Sequence, residues 1–222
     1  MNIIILGQPG SGKGTQAEFL TEKYNLDHFD TGKALRQISK LDSPLGREVN
    51  EIVMIRKELV PSRILKEILH VRLASLPREQ GVVFDGVPRS LEQADYFEEA
   101  LLEFGRKIEK VFFINISEKE SLERISKRWI CRKCKTVFIM GKDVDSEESK
   151  CPECAGEIMQ REDDTIKGIK KRLSVFNKET MPVIDRYKGR GLVVEINGEQ
   201  GIKKVSAEIE KEIKRDFPKT KF

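Results

Sequence analysis

Long apolar runs are missing from this chain. Its N-terminal stretch Asn2-Ile3-Ile4-Ile5-Leu6 stops at Gly7. A membrane span needs about 20 apolar residues and a secretory core about 7–15, so neither is expected and a cytoplasmic protein is the reading. A strong excess of one charge is missing too. The net charge of +4 over 222 residues does not require a nucleic-acid partner, although it suits a phosphate cleft. No internal repeat or low-complexity linker is present, which leaves no sign of a solenoid or a tethered array. Cysteine is absent outside residues 131–154, so no disulfide framework holds the rest of the chain. With 38% hydrophobic and 35% charged residues the chain reads as globular rather than disordered. Its length fits one α/β domain with insertions.

The apolar run leads directly into Gly7-Gln8-Pro9-Gly10-Ser11-Gly12-Lys13-Gly14-Thr15, and a helical pattern follows. Strand, glycine-rich loop, lysine and helix in this order make a phosphate cradle. Backbone N–H groups converge on an anion at the positive end of a helix. Lys13 is placed to reach β/γ-phosphates, and a hydroxyl, by position Thr15, to meet Mg²⁺.

The four cysteines form a C-x2-C-x16-C-x2-C array, Cys131, Cys134, Cys151 and Cys154. Two thiolate pairs on tight knuckles suit a tetrahedral Zn²⁺, and four sulfur ligands leave no position for water. The predicted metal is therefore structural. Arg132, Lys133 and Lys135 would help to hold the thiolates ionised. Iron at tetrahedral sulfur, a pair of disulfides and free thiols are the alternatives. Few apolar residues lie between Cys131 and Cys154, so this segment needs a staple to fold.

Apolar periodicity predicts strands over 2–6, 82–85, 111–116 and 192–196, and a short extended piece over 27–30. Helices are predicted over 12–24, 33–40, 47–57, 62–74, 91–104, 118–127, 164–176, 181–187 and 202–214. Asp42-Ser43-Pro44-Leu45-Gly46 reads as a break, Ser62 as a helix cap, and 216–222 as a frayed basic tail. Alternating strands and helices predict a mostly parallel sheet.

Several segments together resemble the adenylate kinase family, in its long-lid form with a zinc-bearing lid. They are Gly7 to Gln16, Asp30-Thr31-Gly32, Asp85-Gly86-Val87-Pro88-Arg89, Arg124-Ile125-Ser126-Lys127-Arg128, the cysteine array, Arg161-Glu162-Asp163-Asp164 and Lys171-Arg172-Leu173. The resemblance runs from Asn2 to about Lys211. It implies a P-loop NTPase-like parallel α/β sheet flanked by helices, with a helical NMP-binding flap and a zinc-ribbon lid. The implied segments are a core of 1–30, 61–126 and 165–222, a flap of 31–60 and a lid of 127–164. By the same resemblance Gly10, Ser11, Gly12, Lys13, Gly14 and Thr15 hold ATP phosphates. Arg128, Val137 and Phe138 lie on the ATP side of the lid, and Gln200 meets adenine through its backbone. Thr31, Arg36, Glu58, Leu59, Val60, Gly86, Val87, Pro88, Arg89 and Gln93 match AMP-binding positions. Arg161 and Arg172 match arginines that bridge phosphates. Asp85 matches a carboxylate that holds Mg²⁺ through water, and Asp163 and Asp164 match hinge acids of the lid.

The implied reaction is reversible transfer of the γ-phosphoryl group of Mg·ATP to AMP, giving two ADP. Phosphoryl transfer needs positioning and cations around a spread negative charge, and little proton chemistry. Lys13, Arg36, Arg89, Arg128, Arg161 and Arg172 supply such cations, and arginine's fork suits phosphate oxygens. Closure of the two flaps would exclude water from ATP. A monomer with partners ATP, AMP and ADP, and with neither nucleic acid nor membrane, is expected.

Three positions depart from the family pattern. Lys33 replaces an acid, Val87 replaces the usual Phe, and Lys167 stands where an acid is common. Two other readings stay open. One is a kinase for UMP, CMP or GMP. The other is a P-loop regulator whose cysteine module binds nucleic acid through Lys127, Arg128, Arg132, Lys133 and Lys135, with Trp129 and Phe138 stacking on bases. Asp143, Asp145, Glu147, Glu148 and Glu153 would repel that nucleic acid.

Overall fold

A computed structural model describes residues 1–134, 136–161 and 164–217. The chain runs through β1 (Asn2–Gly7), α1 (Lys13–Tyr24), β2 (Asp27–Asp30), α2 (Thr31–Ile38), α3 (Pro44–Val49), α4 (Ser62–Ala74), β3 (Val82–Asp85), α5 (Leu91–Glu103), β4 (Lys110–Asn115) and α6 (Glu118–Ser126). The cysteine module contributes β5 (Arg128–Cys131), β6 (Val137–Ile139) and β7 (Ile158–Met159). Then come α7 (Ile166–Val175), α8 (Met181–Gly189), β8 (Val193–Asn197) and α9 (Ile202–Asp216). π-helical stretches at Asn50–Ile55 and Phe176–Thr180 follow α3 and α7 directly.

The main sheet has the order β2-β3-β1-β4-β8 and every pairing in it is parallel. Its central strands are buried on both faces, which is why β1 reads as a continuous apolar run rather than an alternating one. Side chains still alternate between faces. Ile4, Leu6, Phe84 and Phe113 pack with Leu69 of α4, Phe97 of α5 and Tyr187 of α8. Ile3, Ile5, Val83 and Phe112 pack with Leu20 of α1 and Ile209 of α9. This is a doubly covered sheet whose strands end on one common edge. The loops on that edge carry the functional residues.

The cysteine module forms a separate antiparallel sheet, order β6-β5-β7. Its small core contains Trp129, Phe138, Val144 and Ile158 beside Cys131 and Cys151. These strands are too short to show a period of two, so the sequence pattern does not predict them.

Several boundaries differ from the sequence expectation for local reasons. α2 starts at Thr31 because the Asp30 side chain accepts the Lys33 N–H at 2.8 Å. Pro44 begins α3 instead of breaking the chain, with Ser43 as cap accepting the Gly46 N–H at 3.0 Å. Ser62 is not a cap. Pro61 holds that position and Ser62 is the first residue of α4. The two helices expected after residue 164 are joined through the π-helical stretch. Of the expected tail, residues 218–222 lie outside the described residues.

Phe84 is fully buried in β3 and meets Phe97 edge-on with ring centroids 4.8 Å apart. Phe84→Ala is expected to lower unfolding stability by about 3–5 kcal/mol. Urea denaturation should show a lower midpoint at an unchanged slope, and an unchanged midpoint would contradict this packing.

Candidate active site

β1 delivers Gly7 to the sheet edge, and the loop that follows turns straight into α1. A Cβ at Gly7 would stand 2.5 Å from the Ile114 carbonyl oxygen, so only glycine permits this approach to β4. Gly12 takes φ 86° at the start of α1, a left-handed conformation that favours glycine. No side chain caps α1 and no acid lies in its first turn. Its leading N–H groups thus remain available to an anion. The loop is tied from behind. Ser121 Oγ donates to the Pro9 carbonyl. Gln8 Nε2 donates to Asn115 Oδ1 at 2.9 Å, and Gln8 Oε1 accepts the Ile116 N–H at 3.3 Å. Gln8, Asn115 and Ser121 escaped the sequence reading because their roles depend on β4 and α6 lying beside the loop.

Lys13 opens α1 and faces the cleft. Burial pushes its ammonium down to about 8. Asp85 opposes that shift, and Arg89, Arg172 and Arg128 add to it by repulsion. Asp85 ends β3 and is 6% exposed. Its Oδ2 lies 3.4 Å from where a Gly14 Cβ would stand, and 3.6 Å from His28 Nε2. Burial acts to lower the His28 pKa, but Asp85, Asp30 and Glu18 outweigh it and the net shift is upward. Asp85 Oδ1 is buried without a hydrogen-bond partner. Thr31 Oγ1, one residue past β2, is in the same condition.

The arginines arrive from different elements. Arg89 lies just beyond β3, its Nε donating to the Gly86 carbonyl and its N–H to Gln93 Oε1 at 2.9 Å. Thr180 Oγ1 donates to the Arg89 carbonyl at 3.0 Å. Burial lowers the Arg89 pKa, Asp85 and Asp30 raise it, and Arg172 and Arg161 lower it further. Arg128 of β5 grips Asp164 with two bonds, Nε to Oδ2 at 2.7 Å and Nη2 to Oδ1 at 2.5 Å. Arg172 of α7 donates Nη1 to the same Oδ1 at 3.0 Å. Burial lowers the Arg128 pKa, against its bond to Asp164 and with repulsion from Arg161 and Arg172. Lys13, Arg89, Arg128, Arg161 and Arg172 therefore form one field. Arg36 of α2 lies 4.0 Å from Asp30 Oδ2 at its border. Asp164, an expected hinge acid, has a buried carboxylate that ties the cysteine module to α7. Asp163, read with it, lies outside the described residues, as do Lys135 and Glu162.

The remaining expected residues differ in what their side chains offer. Gln93 Nε2 donates to the Val60 carbonyl at 3.3 Å, joining α5 to the chain before α4. Val60, Val87 and Pro88 are buried, Leu59 is partly exposed, and Glu58 pairs with Arg56 at 3.2 Å. Gln200 Nε2 is buried without a partner in the turn before α9. Val137 is exposed, whereas Phe138 turns into the module's own core. Trp129 is buried there too, so neither aromatic ring is presented for stacking on bases. Lys33 and Lys167 are exposed.

The four cysteine sulfurs lie within 4.8 Å of one another. Cys131 and Cys154 sulfurs are 3.5 Å apart, as are those of Cys134 and Cys151, and no disulfide links them. A disulfide would need about 2.05 Å, whereas zinc–sulfur bonds of about 2.3 Å give a tetrahedral edge of about 3.8 Å. The Lys133 and Cys134 N–H groups point at Cys131 Sγ at 3.3 and 3.4 Å, the form of a metal knuckle. Gly156 belongs to the site as well. A Cβ there would meet Cys131 Sγ at 3.0 Å, a constraint that appears only once the two knuckles face each other. The four residues fit a single metal ion.

Comparison with known proteins agrees with this geometry. Residues 5–192 match the family model described as adenylate kinase. A protein named adenylate kinase from Caldicellulosiruptor bescii is 40% identical over 209 residues, covering 94% of this chain and 97% of that protein. Similar matches are an adenylate kinase of Dehalococcoides mccartyi, 40% identical with 96% and 98% covered, and one of Archaeoglobus fulgidus, 38% identical with 95% and 96% covered. A glycine-rich loop at a helix start, a carboxylate at the end of the neighbouring strand, arginines converging from three elements and sequence likeness along nearly the whole chain lead to one conclusion: the chain belongs to the adenylate kinase family.

Proposed function

We propose that this chain transfers the γ-phosphoryl group of Mg·ATP reversibly to AMP, giving two ADP. The observation that carries the reading is the convergence of Lys13, Arg89, Arg128 and Arg172, where burial depresses the Lys13 pKa, Asp85 opposes that shift and the arginines add to it by repulsion. Partly buried cations held together at a cost are relieved by polyanionic phosphate. Lys13 and the N–H groups from Gly10 to Thr15 would hold the ATP phosphates. Arg36 and Arg89 would hold the AMP phosphate, with Thr31, Gly86 to Arg89, Gln93 and the Glu58–Val60 turn shaping its pocket. Arg128, Arg161 and Arg172 would bridge the transferring group. An AMP phosphate oxygen attacks γ-phosphorus in line as the bond to the ADP oxygen breaks. No protein nucleophile or general base is needed, because the AMP phosphate is largely ionised near neutral pH.

Residues 31–60 and 127–164 are the segments proposed to close over AMP and ATP. The Arg128–Asp164–Arg172 linkage supports the second of these, since closure and cation placement would share one tether. We assign Zn²⁺ to the cysteines as a structural ion, Mg²⁺ to the nucleotide and Asp85 to the waters of that Mg²⁺. A monomer is proposed. No described helix is long and apolar enough to cross a membrane. The burial of Trp129 and Phe138 favours this reading over a nucleic-acid-binding module. A kinase acting on UMP, CMP or GMP is the competing substrate choice, and a coupled ADP-formation assay with each nucleotide decides it.

Arg89→Met is expected to reduce turnover by about 10²–10⁴-fold, the usual loss for one charge-stabilising group. The measurement is coupled ADP formation together with circular dichroism. Near-normal rates and AMP affinity in a folded variant would contradict the assignment.

Metal stripping is expected to lower the thermal midpoint, with the main sheet still folded and activity partly retained when excess Mg²⁺ is supplied. Elemental analysis should find one zinc per chain. Neither zinc nor iron in carefully purified protein would overturn the site.

Because the Lys13 pKa lies near 8, phosphate binding should raise it again and draw in a proton. ATP titrations at pH 8 in buffers of different ionisation heat should show fractional proton uptake, declining towards pH 6.5. Equal apparent heats, once corrected for ATP and Mg²⁺ protonation, would place Lys13 outside the phosphate site.

A further inference from the structure

Parallel pairing of β2 with β3 sets Asp30 opposite Asp85 at the functional edge of the sheet. Residues opposite one another in register leave the sheet on the same face, so the two carboxylates are neighbours. Asp85 has one oxygen towards Gly14 and His28. Its other oxygen is buried without a partner in a residue only 6% exposed. Asp30 Oδ1 accepts the Lys33 N–H at 2.8 Å, and Oδ2 is 4.0 Å from Arg36. A carboxylate has capacity for about four hydrogen bonds, so both acids retain acceptor sites. Asp30 and Asp85 also act on the same neighbours, Glu18, His28 and Arg89. Among the described residues, only the cysteines converge as a group of three or more that could hold a metal directly. Mg²⁺ carried by a nucleotide keeps several of its waters, and a carboxylate can reach the ion through them.

We propose that Asp30 is a second positioning carboxylate for the hydrated Mg²⁺ of the bound nucleotide, accepting hydrogen bonds from that ion's waters beside Asp85. The inference rests on the reading of this cleft as a Mg·ATP site. It gives the segment Asp30-Thr31-Gly32-Lys33 a clear polarity. The acid stands at the strand end, facing the cleft edge, and the lysine is carried outward on the first turn of α2, where it is exposed. Asp30 thereby combines a local task, starting α2, with an electrostatic one. The two separate cleanly, because serine and asparagine also cap helices but carry no charge.

The test uses Asp30→Ser and Asp30→Asn in the full, metal-loaded protein. ATP affinity is measured without AMP, by calorimetry, with Mg²⁺ and with chelator in its absence. Mn²⁺ paramagnetic resonance in the ATP complex gives a second measure of cation binding. The factor by which Mg²⁺ strengthens ATP binding should fall about three- to tenfold in both variants, as expected for one charge acting on a divalent ion through a water shell in screened solvent. Affinity for metal-free ATP should hold or rise, since an anion has been removed, and Mn²⁺ should bind more weakly. A factor unchanged within twofold overturns the proposal. So does a loss confined to the KM for AMP, which would make Asp30 an orienting partner of Arg36. If wild-type protein forms no ADP from ATP and AMP, the functional reading fails. If it forms ADP and the variants keep their Mg²⁺ dependence, only the role of Asp30 fails.

Discussion

Repulsion among partly buried cations is the constraint around which this molecule is arranged. Lys13, Arg89, Arg128 and Arg172 come from separate elements and raise one another's energy in a cleft that water enters poorly. Such a set persists only when the surrounding structure over-determines it. Asp85 offsets Lys13 and Arg89 from the end of β3, and Asp164 offsets Arg128 and Arg172. Each acid is itself fixed, one by a central strand and the other by full burial of its carboxylate. The excess positive potential left over suits a polyphosphate.

The fold makes this possible through rigidity on one edge. β1, β3 and β4 are covered on both faces, so the loops leaving them have little freedom at their roots. Gly7 sits against β4, Gln8 is tied to Asn115, and Pro9 to Ser121 of α6. These ties hold the glycine-rich loop from behind, and no side chain caps the helix that follows it. Preorganised donors of this kind cost little reorganisation during reaction, which is where much of their catalytic value lies.

The cysteine module solves a different problem. Its apolar core of Trp129, Phe138, Val144 and Ile158 is small, and four sulfurs gathered at one point are placed to hold a metal ion that would add the cohesion so small a core lacks. The module joins the main body electrostatically as well as covalently, because Arg128 at the start of β5 shares Asp164 with Arg172 of α7. A stiff module on a charged tether can carry its arginine as a unit.

Much of this was legible in the sequence because the signals are local. Strand, glycine loop, Lys13 and helix are consecutive, and the helix start needs only glycine geometry and free N–H groups. The cysteine spacing specifies two knuckles, and the short continuous apolar runs specify buried parallel strands. Helix starts were less legible: Asp30 and Ser43 cap their helices, whereas Ser62, of a similar residue type, does not, because Pro61 takes that place. What the sequence could not decide depends on pairings between distant segments. Only the β2–β3 register places Asp30 beside Asp85, and only the meeting of β5 with α7 gives Asp164 two arginines. Phe138 and Val137 are adjacent residues of the same apolar type, yet strand alternation buries one and exposes the other. The sequence by itself determined which chemical groups are present and which local turns they adopt. The tertiary structure decided which of them share a field, because electrostatic interaction depends on distance in space and on exclusion of water, and neither is a property of chain order.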